Sequence, residues 1–506
     1  MAYAGKGGSG WKDILIWKGK VQKMLETLKK EANMTTTING GTAHRSTLSA
    51  CLDLFAVCGA MRDSSEDQIL LKFIRAFNED RDVAMRILFY ARDIRGGLGE
   101  RRFFNIILKC LADARPASVR KNLRLIPEYG RFDDVTKLLG TKCEGDMAAY
   151  IKGKLAEDIE KMRKGEGVSL LAKWLPSVNA SNERTRQDAK RICKLLEMRE
   201  RDYRKTLSAL RGYIGIVENN LRVGDYTFDY SKMSSRAMLK YRDAMMRHDG
   251  DRYSLYLDDV RAGRAKMNTS ALYPYDIVRA ALDATDDEER VALDTAWNAL
   301  EDHTDDRNAL VVMDGSGSMY CGRGILPATV ALSLSIYFAE RNRGAFAGHF
   351  ITFSTSPRLV EIKGRDITDK VNYCSTFNEI SNTDLSRVFS LILKTAIKNN
   401  VPQEEMPEML YIISDMEFDA GVDCDKTVFE EAKESYEKNG YTLPRIVYWN
   451  VNSISEQCPV EMTTEGTALV SGASSAMFRY VMSGDVTPYS LMESVLSADR
   501  YKNICA

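Results

Sequence analysis

The sequence lacks most features that mark secreted, membrane-bound or zinc-dependent proteins. Its 506 residues include only four histidines, and its ten cysteines form no Cys-x-x-Cys pair. Widely separated histidines argue against a zinc enzyme, and scattered cysteines in apolar, helix-like surroundings are typical of buried thiols in a reducing compartment. No apolar run is long enough to span a bilayer, and the Gly-rich segment 1–11 has no apolar core of a secretory signal. We therefore expect a cytoplasmic protein without membrane contact.

Common catalytic signatures are also missing. There is no Gly-x-x-x-x-Gly-Lys phosphate loop and no Gly-x-Ser-x-Gly nucleophile elbow. Asp314 and Asp415 could hold a metal for hydrolysis, but their hydroxyl-rich surroundings contain too few carboxylates for a two-metal nuclease. We therefore predict that the protein is not an enzyme.

The charge is balanced overall but not along the chain. Residues 1–280 contain 52 lysines and arginines against 36 acids, whereas residues 281–506 contain 19 against 35. The first part therefore carries an excess of 16 positive charges, and the second an equal negative excess. Such a basic half suggests a polyanion as partner. The alternative is that the charges are spread evenly and only improve solubility.

The basic half has apolar residues at three- and four-residue spacing, which predicts helices almost throughout. The helices are predicted at 48–61, 67–77, 82–90, 100–112, 148–163, 183–196, 202–217, 235–246 and 253–260. Successive short helices without a fixed repeat favour a HEAT-like α-solenoid over residues 46–285, after an N-terminal extension at 1–45.

The acidic half alternates apolar strands with amphipathic helices, which predicts a doubly wound parallel sheet. Strands are predicted at 310–314, 348–354, 408–415, 445–450 and 467–472, and helices at 327–343, 387–398 and 427–439. Residues 488–504 are predicted to form a helix and a tail that dock back on the chain. The predicted fold class is therefore α plus α/β.

Two of these strands end in short polar residues. The first is followed by Asp314-Gly-Ser316-Gly-Ser318 and the second ends in Ser414-Asp415, while Asn382-Thr383-Asp384 precedes a predicted helix. Open α/β sheets bind ligands at the carboxyl ends of their strands. Oxygen ligands with few carboxylates suit Mg²⁺. The alternative for the first segment alone is a Gly/Ser-rich turn without a ligand.

These three segments resemble the metal-ion-dependent adhesion site of von Willebrand A domains, and the resemblance covers about residues 300–506. It implies that Ser316, Ser318 and Thr383 contact Mg²⁺ or another divalent cation directly. It also implies that Asp314 and Asp415 act mainly through water, and that one position stays open for a carboxylate or other anion of a partner.

Two further acids, Glu417 and Asp419, depart from the pattern of that family. They could add charge around the metal, but we interpret them as part of a solvated loop.

Two segments of the basic half are rich in groups that suit phosphates. One interhelical segment, 89–103, contains four arginines and three glycines, and a second contains Lys173-Trp174-Leu-Pro-Ser. Glycines permit close backbone approach, and arginine forks match phosphate oxygens. The alternative for the arginines is that they pair with Asp93 and Glu100. Trp174 could stack on a base, and the alternative is that it belongs to the core. The candidate RNA contacts are Arg92, Arg95, Arg101, Arg102, Lys173, Arg184 and Arg186.

A basic helical half followed by a von Willebrand A domain resembles the Ro/TROVE architecture. The blocks at 92–103, 173–177 and 272–278 are more similar to a related, largely uncharacterised family of plants, bacteria and phages. The resemblance implies a helical ring that binds small structured or misfolded RNA. The alternative hypothesis is a metal-dependent protein–protein adaptor, in which the helical half is a scaffold and the metal site captures an acidic partner.

Overall fold

A computed structural model of the chain describes residues 24, 28, 31–322, 324–354, 356–377, 384–421, 426–481 and 487–506. A helical part is followed by a six-stranded sheet with helices. The predicted α plus α/β class is therefore confirmed at this level, whereas the HEAT-like solenoid and the ring remain predictions. Among the described residues, no helix has the length and hydropathy needed to cross a bilayer.

In the first part, a two-stranded antiparallel hairpin precedes a chain that continues almost entirely as helices. Local sequence explains several boundaries. Ser65, for example, starts the second helix with a reciprocal capping box to Gln68. In chain order the elements are β1 (Met34–Thr36), β2 (Thr42–His44), α1 (Ala50–Phe55), α2 (Glu66–Glu79), α3 (Arg81–Arg92), α4 (Arg101–Ala114), α5 (Pro116–Asn122), α6 (Ile126–Tyr129), α7 (Phe132–Val135), α8 (Glu144–Arg163), α9 (Leu171–Trp174), α10 (Glu183–Leu195), α11 (Glu200–Ile214), α12 (Val217–Val223), α13 (Ser235–Arg261), α14 (Pro274–Asp283) and α15 (Asp287–Asn298).

The second part is built on one mixed sheet with strand order β5-β4-β3-β6-β7-β8. All neighbouring pairs are parallel except β4 and β5. Strands β3 and β6 are buried at every position, as expected for central strands covered on both faces. Its elements are β3 (Ala309–Asp314), α16 (Pro327–Arg341), β4 (His349–Phe353), β5 (Leu359–Glu361), α17 (Ile367–Ser375), α18 (Leu385–Asn399), β6 (Met409–Ser414), α19 (Val428–Lys438), β7 (Arg445–Asn450), β8 (Thr467–Ser471), α20 (Met477–Val481) and α21 (Pro488–Leu496).

The five predicted strands are confirmed, and the sequence reasoning missed β5 and the hairpin β1–β2. Both are made of three-residue strands, too short to show a clear alternation. Strand β5 lies at the sheet edge, where Leu359 is 54% exposed, so it has no continuous apolar run.

The two parts meet through a close backbone contact at the carboxyl edge of the sheet. Gly59 follows helix α1, and a Cβ atom placed on it would lie 2.8 Å from both Cα and N of Gly472, directly after β8. The Gly59 N–H donates to the Ser471 hydroxyl at 3.0 Å, and the Ser453 N–H donates to the Ala60 carbonyl at 3.0 Å. Only a residue without a side chain allows this approach.

The C-terminal segment docks back on the chain, as the sequence predicts, and the structure shows that it contacts the helical part. Asp93 is fully buried at the end of α3, and the Arg500 guanidinium donates to both of its carboxylate oxygens. The Tyr501 hydroxyl also donates to Asp93, at 3.0 Å. Further along, the Asn122 amide donates to the Cys505 carbonyl at 2.6 Å. Because a buried carboxylate needs a paired cation, helix α3 depends on residues about four hundred positions away.

We predict that Gly59→Ala destabilises the whole chain by about 1–3 kcal/mol, because the new methyl group meets backbone atoms that cannot rotate away. Urea unfolding followed by tryptophan fluorescence measures this change. Gly153→Ala is the matched control, since a Cβ atom at this exposed position of α8 meets nothing within 4 Å. It should stabilise by about 0.5–1 kcal/mol. Equal effects at the two glycines would contradict the close contact.

Candidate functional site

The strand order places one crevice between β3 and β6. Helical connections leave these two adjacent strands toward opposite sides, because β4 follows β3 on one side and β7 follows β6 on the other. Open α/β sheets bind ligands at such a switch point, outside the carboxyl ends of the strands. Asp314 ends β3, and Asp415 directly follows β6. The two predicted carboxylates therefore lie at the crevice that the topology selects.

Asp314 is 1% exposed and is held from both sides. The Ser414 hydroxyl donates to its Oδ2 at 2.5 Å, and the Ser316 N–H donates to its Oδ1 at 2.8 Å. Burial raises the pKa of the Asp314 carboxyl, and the nearby negative charge of Asp415 raises it further. Two buried carboxylates without a cation between them are an electrostatically costly arrangement.

The hydroxyls of the Asp-Gly-Ser-Gly-Ser segment converge beside these acids. The Ser316 and Ser318 Oγ atoms lie 3.1 Å apart. A short 3₁₀ turn from Gly317 to Tyr320 brings the second hydroxyl back toward the first. The predicted ligand Thr383 lies outside the described residues, which resume at Asp384, the N-cap of α18.

Asp415 shows two unusual features. Its Oδ2 atom is buried and has no hydrogen-bond partner among the described residues, although the Glu417 N–H donates to its Oδ1 at 3.2 Å. Burial raises the pKa of this carboxyl too. The next residue, Met416, adopts a left-handed backbone conformation with φ 68°, which is strained for a non-glycine residue. An unpaired buried carboxylate oxygen beside a strained residue is rare in folded proteins, which makes this turn a candidate ligand position.

Carboxylates alone do not make a metal cluster here. In the part of the chain that the structure describes, no three His, Cys, Asp or Glu side chains are grouped as metal ligands. A cation at this edge would therefore depend on the serine hydroxyls as well as the acids.

The interpretation of Glu417 as part of a solvated loop is wrong. Glu417 is 2% exposed, and its carboxylate accepts hydrogen bonds from the Ile38 N–H at 2.8 Å, the Gln457 amide and the Ser455 hydroxyl. Asp419 is half-buried and forms a β-bridge with Gly40. The cause is the turn between β1 and β2, which packs on this segment and excludes water from it.

This turn follows the backbone of the segment closely. The Thr37 hydroxyl donates to the Phe418 carbonyl at 2.5 Å, and the Asn39 amide donates to the Glu417 carbonyl at 2.6 Å. A Cβ atom on Gly41 would lie only 2.5 Å from the Phe418 carbonyl oxygen. The N-terminal segment, interpreted from sequence as an extension, therefore supports the residues after Asp415.

The structure corrects the prediction of an RNA contact at Arg92. This residue is 2% exposed, and its guanidinium is paired with the fully buried Asp134 at 2.7 Å. Arg101 pairs with Asp133 at 2.5 Å and with the other Asp134 oxygen at 3.3 Å. Arg92 is therefore a buried residue of the fold. Arg101 remains partly exposed, but the two aspartates largely neutralise its charge.

Other predicted contacts lie at the surface. Arg95 and Arg102 are exposed, and their guanidinium groups donate to backbone carbonyls, those of Glu128 and Ser64 among them. No carboxylate in the described part of the chain forms an ion pair with either group. Arg184 is exposed on the first turn of α10.

The remaining two candidates are partly engaged. Lys173 lies 3.5 Å from the Glu218 carboxylate, and Arg186 is paired with Glu183 on the same helix. The structure thus separates the seven predicted contacts into buried, paired and exposed side chains, a division that the sequence does not show.

The structure also shows which partners the acids and the tryptophan of these segments have. Asp93 and Glu100 do pair with arginines, but with Arg500 and Arg62 rather than with those of their own loop. Trp174 is half-buried, and the Arg131 guanidinium lies 4.2 Å from its ring centroid. Its ring face is therefore engaged by a cation–π contact within the chain.

Comparison with known proteins adds relatives without an assigned activity. The family model described as Domain of unknown function (DUF2828) matches residues 37–151 and 132–310, more than half of the chain, and the model described as Domain of unknown function (DUF7788) matches residues 308–500. The "Uncharacterized protein L728" of Acanthamoeba polyphaga mimivirus is 28% identical over 509 residues, covering 92% of this chain and 87% of that protein. The crystal structure of the RO (RSR) protein of Deinococcus radiodurans is similar at a TM-score of 0.35 and 14% identity, over 88% of this chain and 93% of that one. A score at this level does not establish a shared fold.

We predict that Glu417→Gln destabilises the protein by about 1–3 kcal/mol, since an amide has one acceptor oxygen where the carboxylate has two, and a buried donor is left unsatisfied. Urea unfolding measures the loss, and hydrogen exchange of the Ile38 amide should become faster. Glu465→Gln is the control, because Glu465 is exposed. Unchanged stability and exchange in the Glu417 variant would show that the turn does not depend on this carboxylate.

Proposed function

The chain belongs to the family described as Domain of unknown function (DUF2828), whose description leaves the activity open, and we propose that it binds small structured or misfolded RNA on its basic helical half, in the manner of Ro proteins. The observation that supports the proposal is positive charge left without acidic partners on that half. Among the described residues, the guanidinium groups of Arg95 and Arg102 bond only to backbone carbonyls. Phosphate contacts from such arginines supply sequence-independent affinity for nucleic acids. The proposal is for a binding protein rather than an enzyme.

We further propose that the crevice between β3 and β6 holds a divalent cation, Mg²⁺ by the character of its ligands. Adjacent ligands of an octahedral Mg²⁺ at about 2.1 Å lie about 3 Å apart, which the 3.1 Å between the Ser316 and Ser318 hydroxyls matches. The unpartnered Oδ2 of Asp415 and the buried carboxylate of Asp314 fit the same cation. Thr383 stays a proposed ligand from the resemblance to von Willebrand A domains. A bound cation would offset the buried negative charge and supply a Lewis-acidic position for an anionic oxygen.

A second candidate function follows from that metal site. If the cation keeps one position open, a carboxylate of a partner protein could occupy it, with the helical half as a scaffold. The buried, hydroxyl-rich donor set favours this adaptor function, because it leaves the cation only partly neutralised. Partner capture from a host lysate should then be lost in EDTA and regained with Mg²⁺. Capture that persists in EDTA would count against the adaptor.

The combined variant Arg95→Glu, Arg102→Glu and Arg184→Glu should weaken RNA binding. Each phosphate of a single strand that a cationic side chain neutralises adds about 0.7 to the slope of log affinity against log salt, so we expect the slope of the triple variant to be smaller by about 2. Fluorescence anisotropy with a labelled RNA at several salt concentrations measures both quantities. Binding should persist in EDTA, because the basic surface and the crevice are separate.

The matched control reverses three exposed basic residues that already have acidic neighbours, Arg199, Lys232 and Lys164. It makes the same change in net charge. If the triple variant and the control both bind RNA as tightly as the unmodified protein, the assignment of Arg95, Arg102 and Arg184 as RNA contacts is wrong. If the unmodified protein carries no RNA when purified without nuclease and binds none at low salt, RNA binding itself is wrong.

Mg²⁺ or Mn²⁺ should raise the stability of the protein against urea, by about 2.7 kcal/mol when the cation is present at 100 times its dissociation constant. Asp415→Asn should abolish this increase while leaving the cation-free protein at least as stable, because it removes a buried charge but keeps the acceptor of the Glu417 N–H. Asp499→Asn is the control, since Asp499 is 94% exposed. A cation effect that survives in the Asp415 variant would place the metal elsewhere.

A further inference from the structure

A basic cleft lies in the helical half, away from the arginine-rich segment at 89–103. It has a volume of about 520 Å³ and lies between α11, α12 and the loop that follows α9. This volume is within the range of sites that enclose a small ligand or part of a larger one. Three arginines line the cleft, Arg204, Arg211 and Arg222, and none of its lining residues is acidic.

Arg211 is held in the lining of the cleft by three hydrogen bonds. Its guanidinium donates to the Ala172 carbonyl at 2.8 Å, the Leu175 carbonyl at 2.7 Å and the Ser177 hydroxyl at 2.7 Å. These three partners are neutral, so they orient the group without cancelling its charge. They also use only three of the five N–H donors that a guanidinium carries. Burial lowers the pKa of Arg211, as expected for a cation that no neighbouring carboxylate stabilises.

The other two arginines reach the cleft from its two helical walls. Arg204 on α11 and Arg222 on α12 lie toward solvent, and neither forms an ion pair or side-chain hydrogen bond with any described residue. Glu218, which precedes the lining residue Asn219, is paired with Lys173 at 3.5 Å. The cleft therefore concentrates positive charge, and the residues that line it do not neutralise this charge.

Neutral amides complete the lining. Asn179, Asn219 and Asn220 offer donors and acceptors beside the arginines. An arginine fork suits the oxygens of a phosphate, and amides suit a ribose hydroxyl or a base edge. A concave cleft between helices admits an unpaired strand more readily than a stiff duplex, whose phosphates follow a broad convex surface.

We infer that this cleft binds the phosphate backbone of single-stranded RNA, with Arg204 and Arg222 as the contacts and Arg211 as a fixed charge in the same lining. The inference rests on the proposed RNA-binding function and assigns it a place. It also gives a role to the segment Lys173-Trp174-Leu-Pro-Ser, whose Leu175 carbonyl and Ser177 hydroxyl hold Arg211 in position.

The test compares two variants of the full-length chain with the same change in net charge. Arg204→Glu with Arg222→Glu alters the cleft, whereas Arg201→Glu with Lys205→Glu alters positions of α11 that do not line it. Anisotropy is measured with a labelled single-stranded RNA and with the same RNA as a duplex. Arg211 is left intact because its bonds hold the loop. Thermal unfolding checks that both variants fold.

The cleft variant should bind the single strand at least tenfold more weakly than the control variant, with a salt slope smaller by about 1.4 because two phosphates are no longer neutralised. The duplex should be affected much less. Equal losses of affinity in the two variants would overturn the cleft assignment and leave RNA binding in place. Absence of RNA binding by the unmodified protein would overturn both. Poly-glutamate that competes as well as unlabelled RNA would also overturn the inference, since the cleft would then recognise acidic peptide.

Discussion

The contact of Gly59 with Gly472 joins the two parts of the chain at the carboxyl edge of the sheet. Two backbones within contact distance leave no room for a side chain, so this contact fixes the distance between α1 and the end of β8. The residues before α1 are thereby held against the same edge. The turn between β1 and β2 then lies over the segment after β6, where the Glu417 carboxylate accepts the Ile38 N–H. Support for the candidate metal site thus comes from the other half of the protein.

The buried acids explain why that support is needed. Asp314, Asp415 and Glu417 are each at most 2% exposed, which concentrates negative charge at one edge of the sheet. Hydrogen bonds from Ser414, from backbone amides and from the N-terminal segment stabilise part of this charge, and the orphan oxygen of Asp415 marks what they leave unsatisfied. A cation is the partner that would satisfy the rest. The proposed metal and the observed hydrogen bonds would therefore both stabilise the buried negative charge at this edge.

In the basic half, the arginines differ in the partners that surround their positive charge. Arg92 is buried on Asp134, Arg500 is brought from the C-terminus to Asp93, and Arg211 is held by neutral carbonyls. Arginines that look alike in the sequence thus differ in how much charge they present. Those with carboxylate partners stabilise the fold, and those with neutral partners or none remain able to attract an anion. This difference directs the RNA-binding proposal toward specific surfaces.

The sequence alone determined the order and type of most elements and the position of the candidate metal site. Apolar periodicity is a local property, so α3 and α10 were predictable, and so was the pairing of a buried strand with Asp314 at its end. Only the tertiary structure decided which charged residues meet, because Asp93 and Arg500, or Ile38 and Glu417, are separated by hundreds of residues and share no local pattern. The same applies to the cleft, since Arg204 and Arg222 are joined into one site by the turn between α11 and α12 rather than by any motif. The local spacing of residues determines on which face of a helix or strand a side chain lies. Long-range packing determines which residues contact that face.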